Sequence, residues 1–293
     1  MESSLTDLSS IRPVEPQAGE AALLSVFVDA SASVSGGNPV PLVRDARGMQ
    51  AEDMQALAAY HGHESAFVLP ADEPDYLCRL RFFVPGHEME MCGHATVGAL
   101  WALRQWGYWT TPWARVQTLS GSVDIEWDEA RGWAWISQPA VTLALLPAQQ
   151  CDAIATVLRI DPGLHAVNAS TSRVKTLVRM PDAAALDALA PDFGAMRDLC
   201  DAIDSTGLYP YAVSDDGVFA RQFPKASGYP EDAATGIAAA ALWGHLDSVG
   251  EVPADQICTV RQGVAMGSPS AIQLRRRTDA PGCWLSGETQ WLT

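Results

Sequence analysis

Two short apolar runs, each preceded by polar residues, dominate the hydrophobic pattern of the chain. Residues 97–103 follow Cys92-Gly93-His94-Ala95-Thr96, and residues 238–243 follow Asp232-Ala233-Ala234-Thr235-Gly236-Ile237. Neither run contains a charge, and both fit one helix but are too short to span a bilayer. A helix that is apolar on every side must be buried on every side. The pattern therefore predicts two buried helices whose polar groups lie at their N-terminal ends.

The remaining apolar segments predict a chain of alternating strands and helices. Helices are predicted at 51–61, 148–158, 182–189 and 193–203. Strands are predicted at 23–29, 40–43, 77–84, 116–119, 123–127, 132–136, 174–180, 208–213 and 218–223. A further strand begins directly after the polar cluster His61-Gly62-His63-Glu64 and ends at Leu69. Residues 260–293 are predicted to form strands separated by turns.

The surroundings of the two buried helices resemble each other. Cys92 and Asp232 lie 140 residues apart, and the segments Arg81-Phe82-Phe83-Val84-Pro85 and Arg221-Gln222-Phe223-Pro224 precede the two helices. Such a period indicates that one α/β unit has been duplicated. Two related lobes, with the N-terminus of each buried helix facing the other lobe, would form one cleft lined by polar groups from both halves.

We therefore predict an α+β fold of two pseudo-symmetric lobes, each a mostly antiparallel sheet rolled around a central buried helix. Residues 1–20 are polar and contain two prolines, which is typical of a flexible extension. The first lobe is predicted at 21–138 and the second at 139–293, with the last strand able to return to the first lobe. Residues 137–140 form the predicted linker, since Pro139 interrupts strand pairing.

Charge and cysteine usage narrow the classes of function. The net charge is −16, which opposes binding to nucleic acid and to anionic membranes. The six cysteines show no CxxC or Cys/His pairing, as expected of reduced thiols rather than disulfides or a zinc site. The first apolar run, at 22–28, is shorter than the core of a signal peptide or a membrane span. We predict a cytoplasmic protein with no metal and no membrane partner.

Several separated motifs, in this order, resemble one known family. The motifs are Gly36-Gly37-Asn38-Pro39, His63-Glu64-Ser65-Ala66-Phe67-Val68, Glu88, Cys92-Gly93-His94-Ala95-Thr96, Glu231-Asp232-Ala233-Ala234-Thr235-Gly236, Gln262-Gly263 and Met266-Gly267-Ser268-Pro269-Ser270. Together they resemble the phenazine-biosynthesis isomerase family, often called PhzF-like, from about residue 24 to the C-terminus. The resemblance implies a diaminopimelate-epimerase-like fold with the active site between two lobes, in agreement with the duplication.

The resemblance also implies an activity and its residues. Characterised family members need no metal or cofactor, are often homodimers, and move a proton between carbons of a small carboxylic acid through a glutamate. By motif position this glutamate is Glu64, with His94 and Asp232 as its polar companions. The expected partner is a small anionic metabolite. Its predicted binding residues are the starts of the two buried helices and two glycines near the cleft: Cys92, Gly93, Ala95, Thr96, Ala233, Thr235, Gly236, Gly263 and Gly267.

The chain departs from the usual family pattern at three positions. His63 replaces the serine that commonly precedes the catalytic glutamate, Ile237 replaces the serine after Thr-Gly in the second helix motif, and Ser268 replaces an arginine. The first two replacements remove hydroxyl groups expected to line the pocket. A substrate identical to the phenazine precursor is therefore not expected.

The chemistry of the predicted residues leaves three functions open. Glu64, desolvated between lobes and close to Asp232, would have a raised pKa suited to carrying a proton, with neutral His94 and the helix N-termini stabilising negative charge on the substrate. An epimerase or racemase acting through Cys92 with Asp232 is the first alternative, and it predicts inactivation by Cys92→Ser. A non-catalytic protein that binds a small acid is the second.

Overall fold

The computed structural model describes residues 17, 19–252 and 256–292. The described part of the chain contains six α-helices, named in chain order: α1 (Ala51–His61), α2 (Gly93–Gln105), α3 (Ala148–Leu158), α4 (Ala183–Asp187), α5 (Met196–Ala202) and α6 (Gly236–Ser248). None of these helices is long and apolar enough to cross a membrane. The extension predicted at 1–20 lies outside the described residues, apart from 17, 19 and 20.

Eighteen strands are described, all joined in one mixed sheet. They are β1 (Ala21–Val28), β2 (Asn38–Val43), β3 (Ser65–Leu69), β4 (Cys78–Val84), β5 (His87–Met89), β6 (Trp113–Thr118), β7 (Gly121–Asp128), β8 (Trp133–Gln138), β9 (Thr142–Leu145), β10 (Ala166–Ser170), β11 (Lys175–Arg179), β12 (Gly207–Ser214), β13 (Gly217–Ala220), β14 (Phe223–Pro224), β15 (Cys258–Gln262), β16 (Ser270–Arg276), β17 (Cys283–Ser286) and β18 (Glu288–Trp291).

Strand pairing closes part of this sheet into a ring. Most pairs are antiparallel, and β2–β3 and β4–β6 are the parallel pairs within the ring. The ring runs β1-β2-β3-β4-β6-β7-β8-β17-β16 and returns to β1 through a single pair, Val28 with Ser270. The last strand, β18, also pairs with β1. Strands from both ends of the described chain therefore enclose α2, which contacts β1, β2, β3 and β8.

The two apolar runs form α2 and α6, as their composition predicts. Each helix has 13 residues, and both are almost entirely buried because strands cover every side of them. α6 packs on β10, β11, β16 and β17 and touches α2. The helices approach each other at Gly93 and Gly236, and both glycines pack on Leu285, whose Cδ2 would lie 3.1 Å from a Cβ atom on Gly93 and 2.8 Å from one on Gly236. The N-terminal ends of the two helices therefore meet.

The two halves of the chain share side-chain contacts as well as a sequence pattern. In the first half Arg81 forms a double hydrogen bond with Glu88 and lies over the ring of Phe83. In the second half Arg221 forms the same pair with Glu231 and lies over Phe223. The residue that precedes each helix is Cys92 for α2 and Thr235 for α6. Thr235, not Asp232, is therefore the counterpart of Cys92, because the second half has three more residues between the arginine and the helix.

Other sequence expectations differ from the structure at strand ends. β8 continues through Ser137 and Gln138 and pairs with β17, so the first half of the predicted linker belongs to the sheet. β9 and β10 were not predicted. All four residues of β9 are exposed, and β10 consists of small and polar residues with no clear alternation, so neither carries the usual strand pattern.

Candidate active site

The starts of α2 and α6 form one wall of a cavity of about 270 Å³. Gly93 and His94 contribute from α2, and Gly236 and Ile237 contribute from α6. The first N–H groups of a helix have no partner within the helix, and the helix dipole places partial positive charge there. The cavity therefore meets two helix N-termini at once, an arrangement that suits a bound anion.

Glu64 reaches this cavity from the start of β3, where the chain leaves α1 and enters the sheet. Its side chain is buried, with 8% of the residue exposed. The Tyr229 hydroxyl donates a hydrogen bond of 2.7 Å to Glu64 Oε1, while Oε2 lies 4.0 Å from His94 Nε2. Burial raises the pKa of Tyr229, so this hydroxyl remains a donor. One oxygen of Glu64 is thus held by the protein and the other faces His94.

Asp232 lines the same cavity from the segment before α6. Asn38 Nδ2 donates to Asp232 Oδ1 at 2.9 Å, and the Thr235 hydroxyl donates to Oδ2. Gln262 fixes the local backbone, since its Nε2 donates to the carbonyl of Asp232 and its Oε1 accepts from the N–H of Thr235. Burial raises the pKa of Asp232 to about 7, and the negative charge of Glu64 adds to this effect. The environment of Asp232 therefore favours its protonated form more than that of an exposed aspartate does.

His94 and Cys92 form a neutral pair beside Glu64. Burial lowers the pKa of His94, although the charge of Glu64 opposes that shift. Burial raises the pKa of the Cys92 thiol well above its usual range, and the charge of Glu64 adds to the effect. Cys92 Sγ lies 3.4 Å from His94 Nδ1. A thiol that donates to Nδ1 leaves the ring proton on Nε2, the nitrogen nearer Glu64.

The structure brings together some of the predicted site residues and leaves others outside. Glu64, Cys92, Gly93, His94, Asp232, Thr235 and Gly236 line the cavity, whereas Ala95, Thr96, Ala233, Gly263 and Gly267 do not. Ala95 and Thr96 are fully buried in α2. Gly263 has a left-handed φ of 77° and packs so closely on Ser268 O and Ala233 O that its role is in backbone geometry, and Gly267 is exposed.

Two of the three departures from the family pattern also lie off the cavity. His63 is exposed and Ser268 binds Gly37 O, and neither lines the cavity. Ile237 does line it, so an apolar side chain stands where the family pattern has a hydroxyl.

Among the described residues, no group of three or more His, Cys, Asp or Glu side chains is placed to hold a metal ion.

Four residues of the site were not predicted. Tyr229 and Asn38 bind the two carboxyl groups, and Arg173 and Lys175 line the cavity. Lys175 carried a usable signal, because it interrupts the apolar strand segment Val174-Lys175-Thr176-Leu177-Val178 in a chain with only two lysines. Nothing local marks Tyr229, which lies 165 residues from Glu64.

The raised pKa of Asp232 predicts how the stability of an Asp232→Asn variant depends on pH. The folded pKa of Asp232 lies above its unfolded value, so the folded state loses stability as pH rises from about 4 to about 7. The variant should therefore exceed the wild type in free energy of unfolding at pH 8, on the order of 1–3 kcal/mol, with a smaller difference at pH 5. Urea denaturation at both pH values measures this.

Asp45→Asn provides the control of opposite sign. The hydrogen bond from Arg47 lowers the pKa of Asp45 to about 2, so that variant should be less stable than the wild type at pH 8. An Asp232→Asn protein that is destabilised equally at pH 5 and pH 8 would contradict the raised pKa of Asp232.

Comparison with known proteins places this site in a family. The family model described as "Phenazine biosynthesis-like protein" matches residues 25–288. A Deinococcus radiodurans protein named "Uncharacterized isomerase" is 32% identical over 254 residues, which cover 81% of each chain. The trans-2,3-dihydro-3-hydroxyanthranilate isomerase of Pseudomonas aeruginosa is 32% identical over 268 residues, which cover 85% of this chain and 89% of the relative.

Solved structures show the same fold. The crystal structure of a phenazine biosynthesis protein of the PhzF family from Bacillus anthracis superposes with a TM-score of 0.78, covering 94% of this chain and 98% of that one at 22% identity. The resemblance found in the sequence motifs is thereby confirmed. The chain belongs to the phenazine biosynthesis-like (PhzF) family and is an isomerase.

Proposed function

We propose that this isomerase moves a proton between carbon atoms of a small carboxylic acid, without a cofactor, and that Glu64 carries the proton. The observation that supports this most is the placement of the buried Glu64 carboxyl group in one cavity with Asp232 and the starts of two helices. A shuttle needs a base that can reach the bound substrate, and Glu64 has one oxygen held by Tyr229 while the other, Oε2, lies beside His94.

The proposed sequence of events uses only residues that line the cavity. The substrate carboxylate binds at the N–H groups of Gly93, His94, Gly236 and Ile237. Glu64 Oε2 removes a proton from a carbon whose electrons can delocalise towards an oxygen of the substrate. His94, neutral and with its proton on Nε2, and Asp232 in its protonated form stabilise the negative charge. Glu64 then returns the proton to another carbon.

Both halves of the chain contribute side chains to this chemistry. We propose that they correspond to two lobes, residues 21–138 and 139–293, with the cavity as their shared cleft. The first supplies Glu64 and His94, and the second supplies Asp232 and Tyr229. The cytoplasmic location and the homodimer remain predictions.

The thiol-based alternative has less support. Cys92 is the one cysteine among the described residues that line the cavity, and its raised pKa keeps it protonated. Its counterpart before α6 is Thr235, which cannot serve as a second thiol. We propose instead that Cys92 positions His94 by donating to Nδ1.

The substrate is proposed to differ from the one named for the P. aeruginosa relative. Ile237 places an apolar side chain in the cavity where the family pattern has a hydroxyl. A more apolar acid is therefore favoured at this wall.

Solvent-proton exchange tests the proposal directly. The protein is incubated in D₂O with trans-2,3-dihydro-3-hydroxyanthranilate and with a panel of small mono- and dicarboxylic acids, and ¹H NMR follows loss of C–H signals. We expect deuterium to enter at least one acid that also raises the melting temperature. Acids that bind without any exchange would instead favour the non-catalytic alternative.

A further inference from the structure

Arg173 and Lys175 are positively charged residues that line the cavity, and the proposed proton shuttle gives them no role. Arg173 immediately precedes β11 and Lys175 begins it, and both line the cavity. Within the described part of the chain, neither makes a hydrogen bond or an ion pair. Most arginines of this acidic protein are ion-paired, as the pairs of Arg81 and Arg221 illustrate. Two unpaired cations at one cavity are therefore unusual for this molecule.

Burial makes the unpaired state of Lys175 more informative. Lys175 is 7% exposed, and burial lowers its pKa to about 8, with the charge of Arg173 adding to the shift. It therefore remains largely an ammonium ion at pH 7. Most of the side chain is buried and the residue lines the cavity, so its ammonium group is available to pair with an anionic group of a ligand there.

The neighbouring carboxyl groups do not fill this need. The charges of Asp232 and Glu64 act on Lys175 at a distance, but neither forms an ion pair with it within the 4.0 Å that the other pairs satisfy. The amide of Gln222, which also lines the cavity, is buried and has no partner among the described residues at either its nitrogen or its oxygen. Arg173, Lys175 and Gln222 thus all line the same cavity without a side-chain partner among the described residues.

The charges around the cavity indicate how many anionic groups a ligand of matching charge carries. When Asp232 holds a proton, the negative charge of Glu64 is offset by one of the two cations, and one cation remains. The two helix starts add roughly half a positive charge each. The cavity then carries about two positive charges, of which a single carboxylate neutralises only one.

From this arrangement we propose that the ligand carries two anionic groups, one at the starts of α2 and α6 and the other held by Lys175 and Arg173. The placement of the first group rests on the proposed function. The second group is a carboxylate or a phosphonate-like oxyanion, and Lys175 determines the preference of the enzyme for such acids.

Matched pairs of acids test the proposal. Butanoate, pentanoate and hexanoate are compared with succinate, glutarate and adipate by isothermal titration, and 3-phosphonopropionate distinguishes an oxyanion of phosphorus from a carboxylate. We expect at least one diacid to bind about tenfold or more tightly than the monoacid of equal length. Lys175→Met should reduce the affinity for that diacid to the level of the monoacid while leaving monoacid binding within about twofold.

Lysine NMR distinguishes a ligand-binding role of Lys175 from a purely structural one, because only the former makes its signal respond to the diacid. With ¹³C,¹⁵N-labelled lysine the chain gives two ε-methylene signals, from Lys175 and from Lys225, which pairs with Asp201. The diacid should shift the Lys175 signal and raise the pKa of Lys175, and leave Lys225 unchanged. Lys225→Met is the control variant, and it should keep the preference for diacids.

Two results would overturn the inference: equal affinity for diacids and monoacids in the wild type, or a Lys175 signal that does not move at saturating diacid. Neither depends on turnover. If diacids bind as expected but no acid exchanges deuterium, the proposed shuttle fails and the binding site remains. If the wild type exchanges deuterium into an acid but binds diacids no more tightly than monoacids, the shuttle remains and the second anion site fails.

Discussion

Glu64→Gln is expected to reduce deuterium exchange and isomerisation by about 10³-fold or more, because it removes the group proposed to carry the proton. Glutamine has almost the shape of glutamate, and its amide oxygen can still accept the hydrogen bond from Tyr229. The fold should therefore be retained, and the melting temperature should not fall. Exchange in D₂O, followed by NMR with an acid that the wild type turns over, measures the loss.

Two further variants separate the proposed role from a general effect on the cavity. Glu73→Gln changes an exposed glutamate and should leave the exchange rate unchanged. Cys92→Ser keeps a donor towards His94 Nδ1 and should retain the rate within about tenfold. If Glu64→Gln keeps exchange while Cys92→Ser abolishes it, the thiol and not the carboxylate performs the chemistry.

The Arg221→Met variant is expected to lose about 3–5 kcal/mol of unfolding free energy, since it leaves the buried partner Glu231 without its counter-charge. Arg221 donates twice to Glu231, and the Nη1 atom also donates to the carbonyls of Leu186, Asp187 and Leu189 at the end of α4. The substitution therefore leaves the Glu231 carboxylate without its counter-charge and removes one hydrogen-bond donor from each of three carbonyl groups. Urea denaturation at pH 7 gives the change.

The repeat provides a matched comparison in the same molecule. Arg81 forms the corresponding pair with Glu88, but the two side chains are 23% and 24% exposed, against 9% and 10% for Arg221 and Glu231. Water can replace the lost partner at the first pair, so Arg81→Met should cost only about 1 kcal/mol. Equal losses in the two variants would show that burial does not set the strength of these pairs.

The local sequence pattern was sufficient to predict the helices that are buried on all sides. The apolar runs that became α2 and α6 could be predicted because a helix enclosed by strands needs apolar residues on all sides. The glutamate, histidine and aspartate of the site followed from family motifs, and the structure places all three at one cavity.

The remaining features depend on contacts between distant residues. The sequence repeat alone pairs Cys92 with Asp232. Because three additional residues precede α6, the structural counterpart of Cys92 is Thr235. β9 and β10 are held by pairing with each other, and their own residues carry little strand preference. Tyr229 reaches Glu64 only because the chain between β14 and α6 folds back over the cavity. Such placements follow from tertiary structure and leave no local trace.

The closed ring of strands has a consequence for the synthesis of the chain. β17 pairs with β8, and β16 and β18 pair with β1, so the shell around α2 contains residues from beyond position 269. While the ribosome is still adding those residues, α2 has an incomplete cover and its apolar surface remains open to water. Enclosure of α2 must therefore wait until the residues of β16, β17 and β18 have been synthesised, so folding of this helix depends on long-range pairing with strands that follow it by more than 160 residues.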